Sequence, residues 1–367
     1  MADGATNFTF NDWSWNNNAN MIYIEAPAGV GYSICGDLSE CQFDDHNSAD
    51  DNLAAVLALL QNKFTALQNN QLFISGESYA GIYVPQLALR IDRYITAAKP
   101  GDWKPNFQGF MVGNGVTNWK YDCDPAYFHM GYYHGLISDG VYDNFTSNNC
   151  DFSYINAPIP ANLTGVCNDT YHKFQAQVAL VNEYDVFGKC YKNGNGTLTA
   201  SQYTSFRGKK TNNHRNLKEI PPCVYGGPIL DYFNTDLVRK QLNIKNESAK
   251  WDLCSDTLNY TSAQNASQWI YVQLKGKYRI LKYSGDTDGA VPTYGTQGWL
   301  ADLGWSIIDA WRPYYITNMY GKQVAGYVEK YDGLTFATVH GAGHMAPQWK
   351  RQETYHAIFS FVNNQAL

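Results

Sequence analysis

The chain has 367 residues, of which 44% are hydrophobic and 16% are charged. This length and composition are those of a globular protein with one large domain or two domains. The formal net charge of −6 gives no reason to expect nucleic acid as a partner. Because the sequence contains no run of about 18 apolar residues, it predicts no membrane span.

Apolar runs, helical spacing and turn residues predict alternating strands and helices in the first third of the chain. Residues 21–25 form an apolar run that ends in an Ala-Pro-Ala-Gly turn, and they predict a buried strand. Apolar residues recur at helical spacing after Asp50 and Asp51, which suit the first turn of a helix. The alternation predicts a mostly parallel sheet with crossover helices. The predicted strands are residues 21–25, 71–74 and 109–113, and the predicted helices are residues 50–64 and 82–91.

The composition changes at about residue 117. From there to about residue 267 the chain is rich in Asn, Tyr and Cys and contains only short helical patterns, so we expect an inserted cap. A strand pattern returns at residues 278–283, and Asp332-Gly333 joins two strand patterns into a hairpin. A closing helix is predicted over residues 349–362. The predicted organisation is an α/β core at residues 1–116 and 268–367, with the cap at residues 117–267.

Cysteines and glycosylation sequons predict the compartment. The eight cysteines include no Cys-x-x-Cys pair, a spacing that does not fit a zinc site, and no metal or cofactor is expected. Disulfides and glycans together predict a secreted, lysosomal or vacuolar glycoprotein. The alternative is a cytosolic protein with free thiols and unused sequons. The cysteines are Cys35, Cys41, Cys123, Cys150, Cys167, Cys190, Cys223 and Cys254, and the sequons begin at Asn7, Asn144, Asn162, Asn168, Asn195, Asn246, Asn259 and Asn265.

The strongest motif is Gly-Glu-Ser-Tyr-Ala-Gly at residues 76–81. It lies between a strand pattern and a helix pattern, and Gly-x-Ser-x-Gly in that place is typical of a nucleophile elbow. The flanking positions must be glycine because a Cβ there would clash with the neighbouring strand and helix. Ser78 is therefore predicted to be a catalytic nucleophile.

A serine nucleophile needs a base to take its proton and an acid to orient that base. In hydrolases with this elbow, the acid and then the histidine follow the serine along the chain. Asp286 and Asp288 follow a late strand pattern, and His340 and His344 follow the next one. The spacing does not choose within either pair. These residues could also be ordinary turn and loop residues, but their order and placement favour a triad.

These motifs resemble those of the serine carboxypeptidases. The elbow, Ser-Gly-Asp-Thr-Asp at residues 284–288 and Gly-Ala-Gly-His-Met at residues 341–345 carry the resemblance, which extends from about residue 10 to the C-terminus. It implies an α/β-hydrolase fold and a serine-type exopeptidase that releases C-terminal residues through an acyl-enzyme. Further matches are residues 14–16, 25–33, 113–115, 135–139, 324–327 and 334–339.

The resemblance also implies a role for each site residue. Glu77 would hold the terminal carboxylate of the substrate, which it can do only when protonated. Because a desolvated site with a second carboxyl group raises the pKa of Glu77, acidic pH would favour activity. Glu77 could otherwise be a plain elbow residue. The other implied roles are nucleophile for Ser78, acid for Asp288, base for His344, structural neighbours for Asp286 and His340, an oxyanion-hole donor for the backbone N–H of Tyr79, and a pocket lining for Met345.

The resemblance implies further features that the sequence lacks. The second oxyanion donor of the family and a Glu that pairs with the elbow Glu belong to segments that the family pattern places upstream of Met1. We therefore expect a sheet without its N-terminal strands, and the start of the chain lacks the features of a signal peptide. Cys254 matches the cysteine that pairs with the absent segment. Cys35 is expected to pair with Cys41, and Cys150, Cys167, Cys190 and Cys223 among themselves.

Several functions stay open at this point. The leading hypothesis is the exopeptidase, with the C-termini of peptides or proteins as substrate. One alternative is an acyltransferase or esterase that uses the same acyl-enzyme. Another is a truncated, catalytically impaired paralogue or fragment that acts as a binding or structural protein. The expected protein partners are a separate chain that carries the absent segment and a second copy of this chain in a homodimer.

Overall fold

The computed structural model describes residues 9–37, 41–190, 223, 227–255 and 258–367. The chain divides into two compact units. The smaller unit comprises Met1–Asn52 and Lys189–Ser262, and the larger unit comprises Leu53–Gly188 and Ala263–Leu367. The motifs that predict catalysis all belong to the larger unit.

The described residues contain the following regular elements. The strands are β1 (Gln42–Asp44), β2 (Leu72–Glu77), β3 (Phe107–Gly113), β4 (Asn259–Thr261), β5 (Arg279–Gly285), β6 (Ile307–Asn318), β7 (Gly321–Tyr331) and β8 (Leu334–Val339). The helices are α1 (Asn47–Ala58), α2 (Ala80–Ala97), α3 (Asp124–Tyr133), α4 (Asp139–Ser147), α5 (Gly165–Gln177), α6 (Gly227–Phe233), α7 (Asp236–Gln241), α8 (Gln268–Leu274), α9 (Thr293–Asp302), α10 (Ala346–Trp349) and α11 (Arg351–Val362). Short helical turns lie at Trp15–Asn17, Leu59–Lys63 and Thr65–Leu67.

The larger unit is built on a sheet with strand order β2-β3-β5-β8-β7-β6. Strands β2, β3, β5 and β8 are parallel, and β7 and β6 continue the sheet in antiparallel pairs. At one edge of the parallel part, Glu77 lies beside Gly113, and Gly113 lies beside Tyr283. The carboxyl ends of parallel strands therefore meet there, which is where ligands bind in sheets of this kind. The predicted α/β architecture with a mostly parallel sheet is confirmed.

Helix α2 packs its apolar side against the sheet. Val84, Leu87 and Ile91 recur at helical spacing and are buried together with Phe110 and Ile280 from the strands. Each buried side chain of this size contributes about 1.5–3 kcal/mol relative to exposure. This core holds the first turn of α2 at the end of β2. A second, aromatic core lies among α3, α4 and α5, where the Cys150–Cys167 disulfide is also located.

The strand predicted at residues 21–25 is wrong. These residues form no regular strand, and Ile22, Tyr23 and Ile24 are 40%, 80% and 39% exposed. A strand needs a neighbour that accepts and donates its backbone hydrogen bonds. Within the described ranges, no strand pairs with this segment, so its apolar pattern was insufficient to define a strand.

The hairpin of β7 and β8 is confirmed, but strand β6 was not predicted. Val328 lies opposite Ala337 across the hairpin, and β6 adds 12 residues alongside β7. The sequence of β6 contains Arg312 and Pro313, which weaken a strand pattern. Proline is tolerated in strands at the edge of a sheet, and β6 is the last strand on its side.

The smaller unit contains a two-stranded parallel sheet of β1 and β4. Within this unit, Nε1 of Trp251 donates a hydrogen bond to Oε1 of Glu25 at 2.7 Å. Disulfides join Cys35 to Cys41 and Cys190 to Cys223. The predicted sequons at Asn7 and Asn195 belong to this part of the sequence and lie outside the described residues. The boundaries of the cap at residues 117 and 267 stay a prediction.

The sequons differ in accessibility. Asn162, Asn246 and Asn265 are exposed, whereas Asn144, Asn168 and Asn259 are half-buried. Asn7 and Asn195 lie outside the described residues. Among the helices that the structure describes, none is both long and apolar enough to cross a membrane.

Candidate active site

The turn from β2 into α2 holds Ser78 in a strained backbone conformation. Ser78 has φ = 65°, a region that residues with a Cβ rarely adopt. Its backbone N–H donates to the carbonyl oxygen of Gly113 at 3.1 Å. Its carbonyl oxygen accepts hydrogen bonds from Gly81 at 2.9 Å and from Val116 at 3.1 Å. The elbow is therefore fixed by its own helix and by the loop that follows β3.

The two elbow glycines are required by close packing. A Cβ at Gly76 would lie 2.5 Å from the Cβ of Ala80. A Cβ at Gly81 would lie 2.2 Å from the carbonyl oxygen of Val116. The second contact is with backbone, which cannot move aside as a flexible side chain can. Both positions of the Gly-x-Ser-x-Gly pattern thus require glycine because a Cβ at either would clash with its neighbours.

Asp288 lies in the loop after β5 and is fully buried. Its carboxylate accepts hydrogen bonds from Nδ2 of Asn114 at 2.8 Å, from the backbone N–H of Ala290 at 2.8 Å and from that of Val291 at 3.2 Å. A buried carboxylate is costly unless such donors surround it. These three hydrogen bonds hold the carboxylate of Asp288 in one orientation.

His344 lies in the loop after β8 and is 2% exposed. Its Nδ1 lies 2.8 Å from Oδ2 of Asp288. Its backbone N–H donates to the carbonyl oxygen of Tyr184 at 2.6 Å, and the ring of Tyr184 lies edge-on with its centroid 5.0 Å from that of the imidazole. Nε2 of His344 is buried and has no hydrogen-bond partner among the described residues. The imidazole is thus held by one nitrogen, and the other nitrogen is available for proton transfer.

The other Asp–His pair lies at the surface. Nδ1 of His340 is 2.7 Å from Oδ2 of Asp286, and the side chain of His340 is 61% exposed. Oδ1 of Asp286 also accepts a hydrogen bond from the backbone N–H of Gly341 at 2.7 Å. The two pairs that the spacing could not separate therefore differ in burial.

Glu77 and His344 have pKa values that are shifted in the same direction. Burial raises the pKa of Glu77 to about 7, the charge of His344 opposes that rise, and the charge of Asp288 adds to it. Burial lowers the pKa of His344, but Asp288, through its charge and its hydrogen bond, and the charges of Glu77 and Glu183 outweigh burial, so the pKa of His344 is raised overall. At acidic pH the carboxyl group of Glu77 is therefore neutral and can donate a hydrogen bond.

Tyr79 and Met345 flank the nucleophile and the histidine. Tyr79 immediately precedes the first residue of α2 and is therefore at the N-terminal end of that helix. Met345 follows His344, precedes α10 and is half-buried. Tyr79 is adjacent in sequence to Ser78, and Met345 is adjacent in sequence to His344.

Three residues of the site were missed as site residues. Asn114 is fully buried and binds Asp288, and its Gly-Asn-Gly setting at the end of a parallel strand was the available signal. Tyr184 contacts His344 from the segment after α5, where no motif marks it. Asp185 accepts a hydrogen bond from Oγ1 of Thr287 at 2.9 Å, which attaches the same segment to the loop of Asp288.

Comparison with known proteins agrees with this geometry. A serine carboxypeptidase family model matches residues 1–364. Serine carboxypeptidase-like 20 of Arabidopsis thaliana is 33% identical over 97% of this chain and 76% of its own length. Serine carboxypeptidase 1 of Hordeum vulgare is 31% identical over 94% of this chain and 73% of its own length. The chain thus spans about three quarters of the length of these relatives.

A solved structure supports the fold. The crystal structure of a prohormone-processing carboxypeptidase from Saccharomyces cerevisiae superimposes with a TM-score of 0.74 and 16% sequence identity. The match covers 98% of this chain and 77% of the yeast chain. The predicted α/β-hydrolase fold is therefore confirmed.

Proposed function

Since the chain belongs to the serine carboxypeptidase family of hydrolases, we propose that it releases C-terminal residues from peptides and proteins through an acyl-enzyme at acidic pH. One observation carries this proposal. A buried histidine is held by a buried aspartate at 2.8 Å, in a strand-end loop of the same sheet whose elbow carries a strained serine. This is the set of groups that serine acyl transfer requires.

The proposed reaction has two halves. Oγ of Ser78 attacks the carbonyl carbon of the last peptide bond while Nε2 of His344 takes the hydroxyl proton. The imidazolium that forms is stabilised by Asp288, and it gives its proton to the departing amine of the C-terminal residue. Water then attacks the acyl-enzyme, with His344 taking a proton from it and returning that proton to Ser78. The carboxylic acid product leaves, and the free enzyme is restored.

The negative charge on the tetrahedral oxygen needs donors that are fixed in advance. The backbone N–H of Tyr79 is one proposed donor, because the residue after the nucleophile supplies such a group in this type of elbow. Loss of one oxyanion donor typically costs about 10² to 10³ in kcat. The donor at Tyr79 is thus a large part of the proposed rate enhancement.

Glu77 gives the proposed activity its C-terminal selectivity and its acidic pH preference. A neutral Glu77 donates a hydrogen bond to the terminal carboxylate of the substrate, whereas an ionised Glu77 repels it. Because burial raises the pKa of Glu77 to about 7, the neutral form is the main form at acidic pH. Met345, beside the base, is proposed to line the pocket for the last side chain.

The test is release of single residues from N-blocked peptides at about pH 5. Wild-type protein is expected to release the C-terminal residue, and Ser78→Ala is expected to release none while keeping its melting temperature. A peptide with an amidated C-terminus is the matched substrate control, because Glu77 has no carboxylate to bind there. Equal cleavage of the free and amidated peptides would contradict the exopeptidase assignment.

The same acyl-enzyme could be consumed by an alcohol other than water. This acyltransferase or esterase alternative is tested by adding alcohol acceptors and measuring ester formation against hydrolysis. Glu77 favours the peptidase, because its neutral carboxyl group suits a free carboxylate. A folded chain that neither hydrolyses nor transfers would instead support the catalytically impaired alternative, with a binding or structural role.

We also propose that the protein is a glycosylated product of the secretory route, in a lysosome or vacuole or outside the cell. The disulfides Cys35–Cys41 and Cys150–Cys167 support this proposal, since such bonds persist in oxidising compartments. Intact mass before and after glycosidase treatment tests glycan occupancy. Size-exclusion chromatography of the same material tests whether the protein elutes with a separate chain or as a homodimer, the two partners expected from the sequence.

A further inference from the structure

The loop after β3, residues 114–117, connects the proposed nucleophile with the proposed acid. The backbone N–H of Val116 donates to the carbonyl oxygen of Ser78 at 3.1 Å. Nδ2 of Asn114, two residues earlier, donates to Asp288 at 2.8 Å. Two members of the triad are therefore held by one short loop.

This loop packs against the elbow without free space. A Cβ at Gly115 would lie 2.4 Å from Cγ1 of Val112 and 2.9 Å from Cα of Gly81. Because there is no room for a Cβ between the backbones of Gly115 and Gly81, a displacement of the loop towards the elbow would displace the first turn of α2. Whatever fixes the loop therefore also fixes the position of Ser78.

A buried lysine fixes the loop from inside the protein. Lys282 is in the middle of β5 and is fully buried. Its Nζ donates to the carbonyl oxygen of Gly115 at 2.5 Å and to Oγ1 of Thr117 at 3.0 Å. A lysine is almost never buried without compensating contacts, because removing an ammonium group from water is costly. Burying the ammonium group of Lys282 therefore costs folding free energy that burying an aliphatic side chain would not cost.

Lys282 is charged at the pH of the proposed reaction, and its neighbours are polar or aromatic. The carboxylate of buried Asp122 accepts backbone hydrogen bonds from Thr117 at 2.6 Å and from Asn118 at 2.9 Å. The ring of Trp299, from α9, has its centroid 5.6 Å from Nζ. Burial lowers the pKa of Lys282 to about 8, and the charge of Asp122 opposes that shift. The ammonium form is therefore the main form at acidic and neutral pH, with Tyr271 of α8 as a further titratable group beside this cluster.

We propose that Lys282 is a positioning residue for the triad, whose ammonium group holds residues 114–117 against Ser78 and Asp288. Lys282 does not touch the substrate. It acts through the carbonyl oxygen of Gly115 and the hydroxyl of Thr117. The inference rests on the proposed function, because its consequence for rate assumes that Ser78 is the nucleophile.

The first test is the rate at which a fluorophosphonate labels Ser78 in Lys282→Met. Methionine keeps the length of the side chain and removes the charged donor. Labelling is expected to slow by about 10- to 100-fold, since small misplacements of reacting groups cost rates of this size. Thr117→Val removes one of the two lysine contacts at nearly constant volume and should give a smaller decrease.

The matched control is Asp92→Asn. Asp92 is buried in α2 and binds Nζ of Lys277 at 2.9 Å and the hydroxyl of Tyr278 at 3.0 Å, without a role in the proposed site. This variant should lower the melting temperature but label at the wild-type rate. Wild-type labelling rates in folded Lys282→Met would overturn the proposal. If Lys282→Met does not fold, wild-type labelling in Thr117→Val would overturn it.

A second readout does not depend on activity. The proton between Nδ1 of His344 and Asp288 should give a far-downfield ¹H NMR signal that is lost in His344→Gln. The signal is expected to move or broaden in Lys282→Met and in Thr117→Val, and to stay in place in Asp92→Asn. Should the wild-type protein fail to label, the proposed function fails. If the downfield signal stays in place in both Lys282→Met and Thr117→Val, the positioning role of Lys282 is refuted independently of that result.

Discussion

Oδ2 of Asp288 lies 2.8 Å from Nδ1 of His344, and both side chains are buried. This pairing occupies Nδ1 of the imidazole and leaves Nε2 without a hydrogen-bond partner among the described residues. The other Asp–His pair in the same two loops, Asp286 and His340, has a similar distance of 2.7 Å, but His340 is exposed and Asp286 is half-buried. Burial, rather than the hydrogen bond itself, distinguishes the two pairs.

Replacing Asp288 tests this distinction. In Asp288→Asn an amide nitrogen can face Nδ1, so the imidazole is held in the wrong tautomer, and kcat is expected to fall by about 10⁴. The matched control is Asp286→Asn, which alters the surface pair. Because the side chain of His340 is 61% exposed and neither residue of this pair has a role in the proposed triad, this control should keep kcat within a few-fold of wild type. Equal losses in the two variants would show that the buried pair has no special role.

Glu77→Gln is expected to change the pH profile of kcat/KM. Wild-type activity should decline as Glu77 ionises, since its pKa is raised to about 7. A glutamine donates its amide hydrogens at every pH, so the alkaline decline should disappear. The charge of Glu77 also raises the pKa of His344, so its removal should move the acidic limb to lower pH. An unchanged pH profile in Glu77→Gln would exclude Glu77 from substrate binding. The control is Glu329→Gln, near the C-terminal end of β7, which should keep the wild-type profile.

The melting temperature should be higher at about pH 5 than at about pH 7.5. Burial raises the pKa of Glu77 to about 7 and that of Asp122 to about 6, and the pKa of His344 is raised overall. These three groups bind more protons in the folded than in the unfolded state in this range, and they make the free energy of unfolding fall as pH rises. Burial lowers the pKa of His129 and His356, which opposes but does not reverse this dependence. Because one pKa unit corresponds to about 1.4 kcal/mol, a change of several degrees is expected.

Differential scanning fluorimetry measures this dependence. Glu77→Gln and Asp122→Asn should each make the melting temperature less dependent on pH, because each removes one group with a raised pKa. A wild-type melting temperature that rises from about pH 5 to about pH 7.5 would have the opposite sign and would contradict the assigned shifts.

Gly81→Ala should damage the elbow more than its small size suggests. The new Cβ would lie 2.2 Å from the carbonyl oxygen of Val116, so the loop and the helix must separate. We expect a loss of stability of about 1–3 kcal/mol and a large loss of Ser78 labelling. The control is Gly140→Ala in α4, where no atom lies within 4 Å of the new Cβ. That variant should be neutral or slightly stabilised, and equal behaviour of the two would refute the packing argument.

The sequence defined the elbow and the strand-end loops because their residues are constrained by local backbone geometry. It could not decide between Asp286 and Asp288 or between His340 and His344, since burial depends on what covers the loops. The cover includes Tyr184, which reaches His344 from more than 150 residues away in sequence. Lys282 was likewise hidden within a strand pattern, where a lysine is normally a solvent-facing residue.

Local patterns also failed where tertiary partners decide the structure. The apolar run that includes Tyr23 predicted a strand, but a strand forms only beside another strand. Strand β6 formed despite Pro313, because it lies at the edge of the sheet and pairs on one side with β7. In both cases the pairing, which the sequence does not display, determined the outcome.

Mass-spectrometric mapping of a fluorophosphonate adduct on the folded protein at about pH 5 shows which side chain is the nucleophile. One adduct is expected, on Ser78, and it should be absent from Ser78→Ala and strongly reduced in His344→Gln. An adduct on another residue, or no adduct on a protein that melts cooperatively, would contradict the assignment of Ser78, Asp288 and His344 as a working triad.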